Sequence, residues 1–416
     1  MQMIEKFKYE CINCNKEYFE KEVKYLCPDC EKINTLDVPP KGVLKTIYPY
    51  DKIKERFKKD EKNRTLWSYL KERGFIDILP INSLESLPNL RVGNTPLYKI
   101  DKLSNSKLPF NLFFKDDSQN PTYSFKDRAS AIVSAYAKEN GINTIVAAST
   151  GNAGSSLAGI CAAQGQKAII LVPESAPLAK LTQILMYGAK LIPVKGTYDD
   201  AFDLSIAATK EFGWYNRNTA YNPLTIEGKK TVSFELFEQL NFKTPDRIFV
   251  PVGDGVIISG VYKGFEDLLN LNIIKKMPVI VAVQSKGSNN IIRNINNKNF
   301  QIKASSTIAD SISVDIPRNF YMAKQFILDY KGEYLTVSDK EILEASSVLS
   351  KNTGLFAEPA AATAFAGLLH YQNNNKISND SNNVVLLTGS GLKDLQAVSK
   401  ILKMPETVEA SIENLN

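Results

Sequence analysis

The sequence predicts an α/β fold with two parallel β-sheets, preceded by a small cysteine-rich unit. From about residue 91 onward, short apolar runs such as KAIILVP and NNVVLLTG alternate with helical patterns. Continuously apolar strands between helices are typical of parallel sheets that are covered on both faces. In contrast, four of the five cysteines lie within the first 30 residues. The chain is therefore expected to have a short cysteine-rich front and a long α/β region.

The 416 residues suit two or three domains. We expect a knuckle at residues 1–40 and a connecting arm at 41–90, where prolines and the charged, helix-prone run DKIKERFKKDEKNRTLWSYLKERG occur. The α/β region follows at 91–400 and a tail at 401–416. Within the α/β region, a smaller subdomain is expected at about 115–215, and the larger subdomain takes the remainder.

Composition and charge exclude several classes of function. The net charge is +6, and the lysines are scattered, so no basic stripe for nucleic acid is present. No run of about 18 apolar residues predicts a membrane span, and the N-terminal sequence lacks the apolar segment of a signal peptide. A cytoplasmic location is the expectation. Because His370 is the only histidine, chemistry built on Ser-His-Asp, Cys-His or histidine-rich metal sites is excluded.

The cysteine-rich front has the spacing of a metal site. Cys11 and Cys14 form one C-x2-C pair, and Cys27 and Cys30 form a second after twelve residues. Two residues between thiolates allow one tight turn to direct both at the same ion, and four thiolates suit tetrahedral zinc. A disulfide pair and a rubredoxin-like iron site are the alternatives. Four thiolates leave no open position for catalysis, so the zinc ribbon is interpreted as structural.

One loop carries a lysine at the predicted start of a helix. The segment KDDSQNPTYSFKDR joins the strand NLFF to the helix RASAIVSAYAKEN. Ser124 is the expected N-cap, with Asp127 as the acid of a capping box. Lys126 then lies in the first helical turn, where the helix dipole opposes a cation and favours a neutral amine or an imine nitrogen. The alternative is a surface lysine in a capped turn.

Three further loops follow predicted strands. Small residues in Ser149–Gly154 expose backbone N–H groups at a helix start, which suits a carboxylate or phosphate. The loop GDGVIISG, from Gly253, is neither a dinucleotide motif nor a P-loop, but it can form a nest for one phosphate. A purely structural turn is the alternative, and the charge of Asp254 is unexpected beside phosphate. Thr388, after the strand VVLL, offers a hydroxyl to a ring nitrogen.

Taken together, these loops resemble those of the fold-type II pyridoxal phosphate (PLP) enzymes and, within them, the threonine synthases. The resemblance covers roughly residues 91–400 and rests on eight pieces: VGNTPL, NPTYSFKDR, ASTGNAGSS, YGAKLIPVKGTYDDA, NPLTIEGKKT, PVGDG, AEPAAATA and LTGSGLKD. A zinc-ribbon-like front also occurs in some members of that group. The resemblance implies an α/β fold of two parallel-sheet domains of the fold-type II kind, behind a small zinc ribbon.

The resemblance also implies a role for each site residue. Lys126 carries the cofactor as a Schiff base, Asn152 contacts its ring hydroxyl, and Thr388 faces the ring nitrogen. The cofactor phosphate lies in a cradle formed mainly by the backbone of Gly253, Asp254, Gly255, Val256 and Ile257. Ser149, Thr150 and Ala153 hold the substrate carboxylate. The groups expected around a leaving phosphate are Lys190, Ser124, Asn218 and Asn222.

The activity implied is the conversion of O-phospho-L-homoserine and water into L-threonine and phosphate. A PLP-dependent serine/threonine ammonia-lyase or a β-replacement enzyme is the alternative. Three departures from the usual family pattern bear on the substrate: Tyr123 in place of glycine, Asp254 in place of a neutral residue, and the changed block at 308–319. The expected partner is a small amino-acid substrate, with no nucleic acid or membrane, and a homodimer is the oligomeric state we carry as a hypothesis.

Overall fold

A computed structural model describes residues 6–35, 37–60, 64–176, 178–399, 401–403, 405–408, 410 and 412. The described strands form three sheets, and the predicted α/β fold with parallel sheets is confirmed. Much of the predicted tail, 401–416, lies outside the described residues. Among the residues that the structure describes, no helix has the length and apolar character needed to cross a membrane.

The cysteine-rich front is an antiparallel three-stranded sheet in the order β2-β1-β3. Its strands are β1 (Lys8–Cys11), β2 (Glu17–Phe19) and β3 (Leu44–Ile47), and the short helix α1 (Pro28–Glu31) carries the second cysteine pair. β3 pairs with β1, so this sheet extends past residue 40, the limit expected from sequence. Helices α2 (Tyr50–Lys59) and α3 (Leu66–Glu72) follow in the arm.

The α/β region contains a six-stranded and a four-stranded sheet. The six-stranded sheet has the order β12-β11-β10-β13-β5-β4, in which only the edge strand β4 is antiparallel, and the four-stranded sheet, β8-β7-β6-β9, is parallel throughout. The strands are β4 (Leu97–Leu103), β5 (Ser106–Asp116), β6 (Thr144–Ala148), β7 (Lys167–Pro173), β8 (Lys190–Val194), β9 (Tyr215–Asn216), β10 (Arg247–Pro251), β11 (Val279–Ser285), β12 (Glu333–Val337) and β13 (Asn382–Leu387).

Helices cover the faces of these sheets, which explains the uninterrupted apolar strands. The central strands β10, β11 and β13 are buried along nearly their whole length. The helices are α4 (Lys126–Glu139), α5 (Asn152–Gln164), α6 (Leu178–Met186), α7 (Tyr198–Phe212), α8 (Leu224–Lys229), α9 (Thr231–Gln239), α10 (Val256–Asn270), α11 (Phe320–Asp329), α12 (Asp339–Thr353), α13 (Pro359–Asn373) and α14 (Leu395–Ser399).

A buried ionic cluster joins the arm to the α/β region. Lys230 pairs with both Glu227 and Asp267, and all three side chains are at most 1% exposed. From the N-terminal side, the hydroxyl of Tyr48 donates to Glu227 and the hydroxyl of Tyr50 donates to Asp267, each at 2.6 Å. Buried charges are tolerated when they are paired and hydrogen-bonded. The cluster therefore fixes the arm against α8 and α10.

A second buried cluster fixes the start of α4. The guanidinium of Arg128 donates to Asp117 at 2.6 and 3.0 Å and to Glu235 at 2.6 and 2.9 Å. Lys115, at the end of β5, donates to the same Glu235 at 2.6 Å and to the carbonyl of Thr95 at 2.7 Å. Two-pronged contacts of this kind define direction as well as distance. The loop between β5 and α4 is therefore held at both of its ends.

We expect Glu235→Gln to destabilise the protein by about 3–5 kcal/mol at pH 7, because it removes the 18%-exposed carboxylate that the buried Arg128 and Lys115 share and leaves their charges less compensated. Burial alone would raise the pKa of Glu235, but the charges of Arg128 and Lys115 outweigh burial and hold the pKa at about 2, below its usual 4.5. A carboxyl group whose pKa is lower in the folded than in the unfolded protein stabilises the fold at pH values above its unfolded-state pKa. This contribution is lost as the pH falls toward the folded-state pKa. The difference between the two proteins should shrink below about pH 4.5.

Urea unfolding of both proteins between pH 7 and pH 3 measures this difference. The control is Glu238→Gln on the same helix end, which loses only a partly exposed pair with Lys71 and should cost about 0–1 kcal/mol. Equal losses for the two variants at pH 7 would contradict a stabilising role for the buried cluster.

Candidate active site

A cavity of about 420 Å³ lies at the carboxyl ends of the parallel strands. In open α/β sheets, the loops at these ends form the ligand site. The walls come from the start of α4, the loop between β6 and α5, the loop between β10 and α10, and the segment 310–318. Of the residues predicted from sequence, the cavity brings together Lys126, Ser149, Thr150, Asn152, Ala153, Asn218, Gly253, Asp254, Gly255, Val256 and Ile257.

Lys126 is the first residue of α4 and faces this cavity. Burial and then the positive charge of Arg217 lower the pKa of its amine, against the opposing effects of Glu358 and Asp254. A larger fraction of the amine is therefore neutral near pH 7, which is what a nucleophile or a proton acceptor requires. The structure places the Lys126 amine at the cavity, and its role as the cofactor-binding lysine stays a prediction.

The expected capping box at Ser124 is wrong. The helix begins one residue after Phe125, which has helical dihedrals and provides no side-chain cap. The hydroxyl of Ser124 accepts from the Lys126 N–H at 3.3 Å. Asp127 instead accepts from the N–H and the hydroxyl of Thr122, at 2.7 and 2.5 Å. The acid turns back toward the preceding loop because Thr122 offers it two donors.

Backbone hydrogen bonds join the Lys126 loop to the Thr388 loop. The N–H of Phe125 donates to the carbonyl of Thr388 at 2.9 Å, and the N–H of Ser390 donates to the carbonyl of Tyr123 at 3.1 Å. Tyr123 has φ +66° and is 53% exposed. A left-handed φ is unfavourable for a bulky residue and suits glycine. The glycine usual in the resembling family would thus fit this backbone without strain.

The loop between β10 and α10 has the form of an anion cradle. Gly255 has φ +86°, and a Cβ there would lie 2.8 Å from the Cβ of Ala323. The first N–H groups of α10 have no partner within the helix, so they face the cavity as donors. The carboxylate of Asp254 accepts from the backbone N–H of Arg318 at 3.1 Å, which joins this loop to the segment 310–318, and its negative charge acts on Lys126 and Lys229.

Asn152, at the start of α5, is held by an acid that the sequence analysis did not assign. Its amide nitrogen donates to both carboxylate oxygens of Glu358, each at 3.0 Å. Glu358 is 3% exposed and belongs to the piece AEPAAATA. Burial raises the pKa of Glu358, although the amide of Asn152 opposes that rise. A contact between Asn152 and a ring hydroxyl stays a prediction.

The loop between β6 and α5 presents its backbone to the cavity. The hydroxyl of Ser149 accepts from the Gly151 N–H at 3.2 Å, which tightens the turn before α5. Asn218 borders the same space, but its side chain is used within the protein: its oxygen accepts from Ala148 N–H at 2.8 Å and its nitrogen donates to Ser205 at 2.7 Å. The amide of Asn218 therefore supports the loop that ends β6.

Four predicted site residues do not line the cavity that the structure describes. Lys190 is exposed at the amino end of β8, whereas the site lies at the carboxyl ends, so the structure contradicts its assignment to a leaving phosphate. Asn222 is buried, and its amide binds the carbonyl of Asn216 and the N–H of Leu224. Ser124 and Thr388 are buried just behind Lys126, where their groups hold its loop.

The structure adds cations that sequence reasoning missed. Arg217, Lys229 and Arg318 line the cavity. Arg217 donates to the Ser130 hydroxyl at 3.2 Å and to the Lys126 carbonyl at 3.4 Å, which places it directly beside the reactive lysine. The altered block at 308–319 also contributes to the wall through residues 310–316 and 318. Lys229 lies in the piece NPLTIEGKKT, Arg318 lies in the block at 308–319, and Arg217 comes one residue before Asn218. Spacing alone did not show which of these side chains face the cavity.

The four cysteines at the front converge on one point. Their sulfur atoms all lie within 4.8 Å of one another, with Cys11 and Cys30 at 3.8 Å and Cys14 and Cys27 at 3.7 Å. A Zn–S distance of about 2.3 Å in a tetrahedron implies S–S separations of about 3.8 Å. No disulfide joins these described cysteines. The donor set and its spacing fit a tetrahedral metal ion.

Lys126 at the head of α4 and the glycine loop before α10 line one cavity, an arrangement that suits an enzyme of the PLP-dependent class. Comparison with protein families agrees: residues 89–389 match the family described as "Pyridoxal-phosphate dependent enzyme". The residues present also fit the cofactor, since they offer it an amine of lowered pKa and a cradle of backbone donors in which Gly255 admits no Cβ. PLP is the cofactor of this family.

Similarity to known proteins identifies the group to which the chain belongs within the PLP-dependent enzymes. The chain is 35% identical to a threonine synthase of Methanocaldococcus jannaschii over 97% of both chains. It is also 35% identical to a threonine synthase of Methanosarcina acetivorans, over 97% of this chain and 96% of that protein. The chain belongs to the threonine synthases of the pyridoxal-phosphate dependent enzyme family.

Solved structures support the fold. A threonine deaminase of Solanum lycopersicum matches with a TM-score of 0.66 and 22% identity, covering 80% of this chain and 93% of that chain. An L-serine ammonia-lyase of Rhizomucor miehei matches with a TM-score of 0.63 and 22% identity, covering 74% and 97%. At this identity the similarity shows the fold-type II architecture and not the reaction.

Borohydride treatment of the purified enzyme should trap the cofactor covalently on Lys126, because this residue begins α4 at the cavity and burial and the charge of Arg217 lower the pKa of its amine. Peptide mapping by mass spectrometry locates the adduct. Lys126→Ala should give no adduct at this position while the cavity still binds PLP non-covalently. Lys229 is the matched alternative, since it is a second lysine of the same cavity. An adduct on Lys229 in the wild-type protein would contradict the assignment.

Proposed function

We propose that this protein converts O-phospho-L-homoserine and water into L-threonine and inorganic phosphate. The observation that carries the proposal is the similarity to threonine synthases over 97% of the chain, which includes the cysteine-rich front as well as the cavity. The geometry supports it, because one cavity contains a reactive amine, two helix N-termini that suit anions, and additional cations. A substrate that carries both a carboxylate and a phosphate needs these groups.

When bound, PLP supplies an electron sink for charge that develops at the substrate Cα. Lys126 is the group that moves protons in this scheme. Its lowered amine pKa allows it to accept a proton from Cα and to return one later at a neighbouring carbon. Arg217, beside it, disfavours the protonated amine and thus helps to keep Lys126 a base.

The substrate carboxylate is proposed to bind where α5 begins. The loop before α5, which includes Ser149, Thr150 and Ala153, borders the cavity, and the helix dipole favours an anion at this end. The cradle from Gly253 to Ile257, at the start of α10, is proposed to hold the cofactor phosphate. The two helix N-termini would then separate the two anions, with Lys126 opening onto the same cavity.

The ammonia-lyase alternative rests on a fold that the two enzyme classes share. Threonine deaminase and L-serine ammonia-lyase structures match this chain, but at 22% identity they support only the architecture. Phosphate release separates the reactions, because serine and threonine carry no phosphate. A β-replacement would in turn require a second nucleophilic substrate.

The purified holoenzyme should release inorganic phosphate and L-threonine from O-phospho-L-homoserine in equal amounts. A panel with L-serine and L-threonine, followed by keto-acid detection, serves as the comparison, and Lys126→Ala is the inactive control. Keto-acid formation from serine or threonine without phosphate release from O-phospho-L-homoserine would favour the ammonia-lyase instead.

For the front of the chain, we propose a structural zinc ion bound by Cys11, Cys14, Cys27 and Cys30. The support is the convergence of four thiols without a disulfide, together with sulfur separations of 3.7 and 3.8 Å. The site is closed, since four protein ligands complete a tetrahedron. A homodimer and a cytoplasmic location, both expected from sequence, remain predictions.

Metal analysis of freshly purified protein should give one zinc per chain, and Cys14→Ser should lower that content because a tetrahedral site loses one ligand. Cys161→Ser is the control, because Cys161 is buried in α5 far from the other sulfurs in sequence and is expected to leave the zinc content unchanged. Chelation should increase proteolysis of residues 6–47 and leave the PLP absorbance unchanged. Stoichiometric iron in place of zinc would indicate a rubredoxin-like site.

A further inference from the structure

Lys229 is a buried lysine that forms no ion pair or hydrogen bond through its amine with any described residue. It is the last residue of α8, its side chain is fully buried, and it lines the cavity. Its stem is fixed, because a Cβ on Gly260 in α10 would lie 2.6 Å from the Cβ of Lys229. Its amine makes no hydrogen bond with any residue that the structure describes.

The next residue, Lys230, is a buried lysine whose charge is paired. Lys230, one residue later, is equally buried but forms ion pairs with Glu227 and Asp267. Burying an unpaired charge is costly, and proteins pair such charges or keep them neutral. Lys230 satisfies this rule on the side that faces the arm, whereas Lys229 does not satisfy it on the side that faces the cavity.

Three acids on the cavity wall contact groups other than Lys229. Asp199 pairs with Arg318, and the carboxylate of Asp254 accepts from the Arg318 N–H. The carboxylate of Asp315 accepts from the N–H of Ser305 at 2.7 Å. No described ion pair includes Lys229 or Arg217, although both lie on the cavity wall. An anionic ligand is the partner that this arrangement lacks.

The surroundings of Lys229 are cationic as well as buried. Burial lowers the pKa of its amine well below the usual value, and the charges of Arg217 and then Lys126 lower it further, while Asp254 opposes them. A ligand that restores the charge of Lys229 must therefore be anionic. A phosphate monoester carries close to two charges at neutral pH and several acceptor oxygens.

We propose that Lys229, with Arg217 beside it, binds the phosphate group of a monoester in this cavity. The cofactor and the proposed substrate both carry such a group, and the inference rests on the proposed function only for the substrate. The carbon stem of Lys229 lies against the second turn of α10, the helix whose start forms the cradle. A charge-assisted bond from Lys229 would complement the backbone donors, which carry no full charge.

The test uses Lys229→Met, which keeps the apolar stem and removes the amine. Lys167→Met is the matched control, because Lys167 is exposed at the amino end of β7, away from the cavity. Lys229→Gln is a second variant that retains a donor if the Met variant does not fold. In the apo form, Lys229→Met should be at least as stable to heat as the wild type, since it removes a buried amine that no described residue hydrogen-bonds.

One experiment tests whether the phosphate group that Lys229 binds belongs to the cofactor. It compares the equilibrium binding of PLP with that of pyridoxal, which lacks the phosphate. If Lys229 holds the cofactor phosphate, Lys229→Met should weaken PLP binding by about 10- to 150-fold, the range for a charge-assisted hydrogen bond. Pyridoxal binding should not change. Spectroscopic titration measures both constants without turnover.

A second experiment tests whether the phosphate group that Lys229 binds belongs to the substrate. It measures the binding of inorganic phosphate to the holoenzyme. If Lys229 holds the leaving phosphate, Lys229→Met should raise the dissociation constant of inorganic phosphate by about 10- to 150-fold and leave the PLP constant unchanged. Calorimetry measures the binding directly. Either pattern supports the proposal and identifies its source, and Lys167→Met should show neither.

Unchanged constants for both PLP and inorganic phosphate in Lys229→Met would overturn the proposal, as would a similar loss of pyridoxal and PLP binding. The proposed function can fail separately. An enzyme that releases no phosphate from O-phospho-L-homoserine but binds PLP through Lys229 would refute the reaction and retain the phosphate site. If the enzyme makes threonine but Lys229→Met binds PLP and inorganic phosphate as tightly as the wild type, the reaction is retained and the phosphate site is refuted.

Discussion

The buried contact of Arg128 with Asp117 and Glu235 is the interaction on which the site depends. Arg128 lies two residues after Lys126 in the first turn of α4, so the clamp that holds its guanidinium also sets the direction of the reactive amine. Lys115 extends the same clamp to the end of β5. The loop between them can therefore present Lys126 to the cavity without large movement, and preorganisation of this kind is what proton transfer requires.

Paired and unpaired buried charges lie on different sides of helix α8. On the side of the arm, Glu227 and Lys230 form part of a cluster in which each charge has an opposite neighbour, and tyrosines of the N-terminal segment complete it. On the side of the cavity, Lys229 has no such neighbour among the described residues. The same physical rule thus explains how the front of the chain is anchored and why the cavity suits anions.

The sequence could predict the fold and the loops better than the individual side chains. Alternating apolar strands and helices indicated parallel sheets, and the cavity indeed lies at the carboxyl ends of the strands. Lys190 failed as a site residue because it lies at the opposite end of its strand, which the pattern of KLIPV alone does not reveal. Lys229 was missed because two adjacent lysines in a helix resemble a solvated surface. The direction in which each one points is set by tertiary packing against Gly260 and Asp267.

The departures from the family pattern at Tyr123 and at 308–319 lie in different parts of the structure. Tyr123 is largely exposed, and its unfavourable φ belongs to the loop that pairs with Ser390. The block at 308–319, in contrast, supplies a wall of the cavity, and its Ser311 contacts Glu358 and Asn152, the first residue of α5, each at 3.4 Å. Changes in that wall alter the space around a bound substrate but leave the Arg128 clamp and Lys126 in place. The same block also supports the cradle, because the N–H of Arg318 donates to the carboxylate of Asp254 and the amide of Asn319 donates to the carbonyl of Gly255. Sequence differences in this wall therefore reach both the substrate space and the cradle, whereas the Arg128 clamp is built from other elements of the fold.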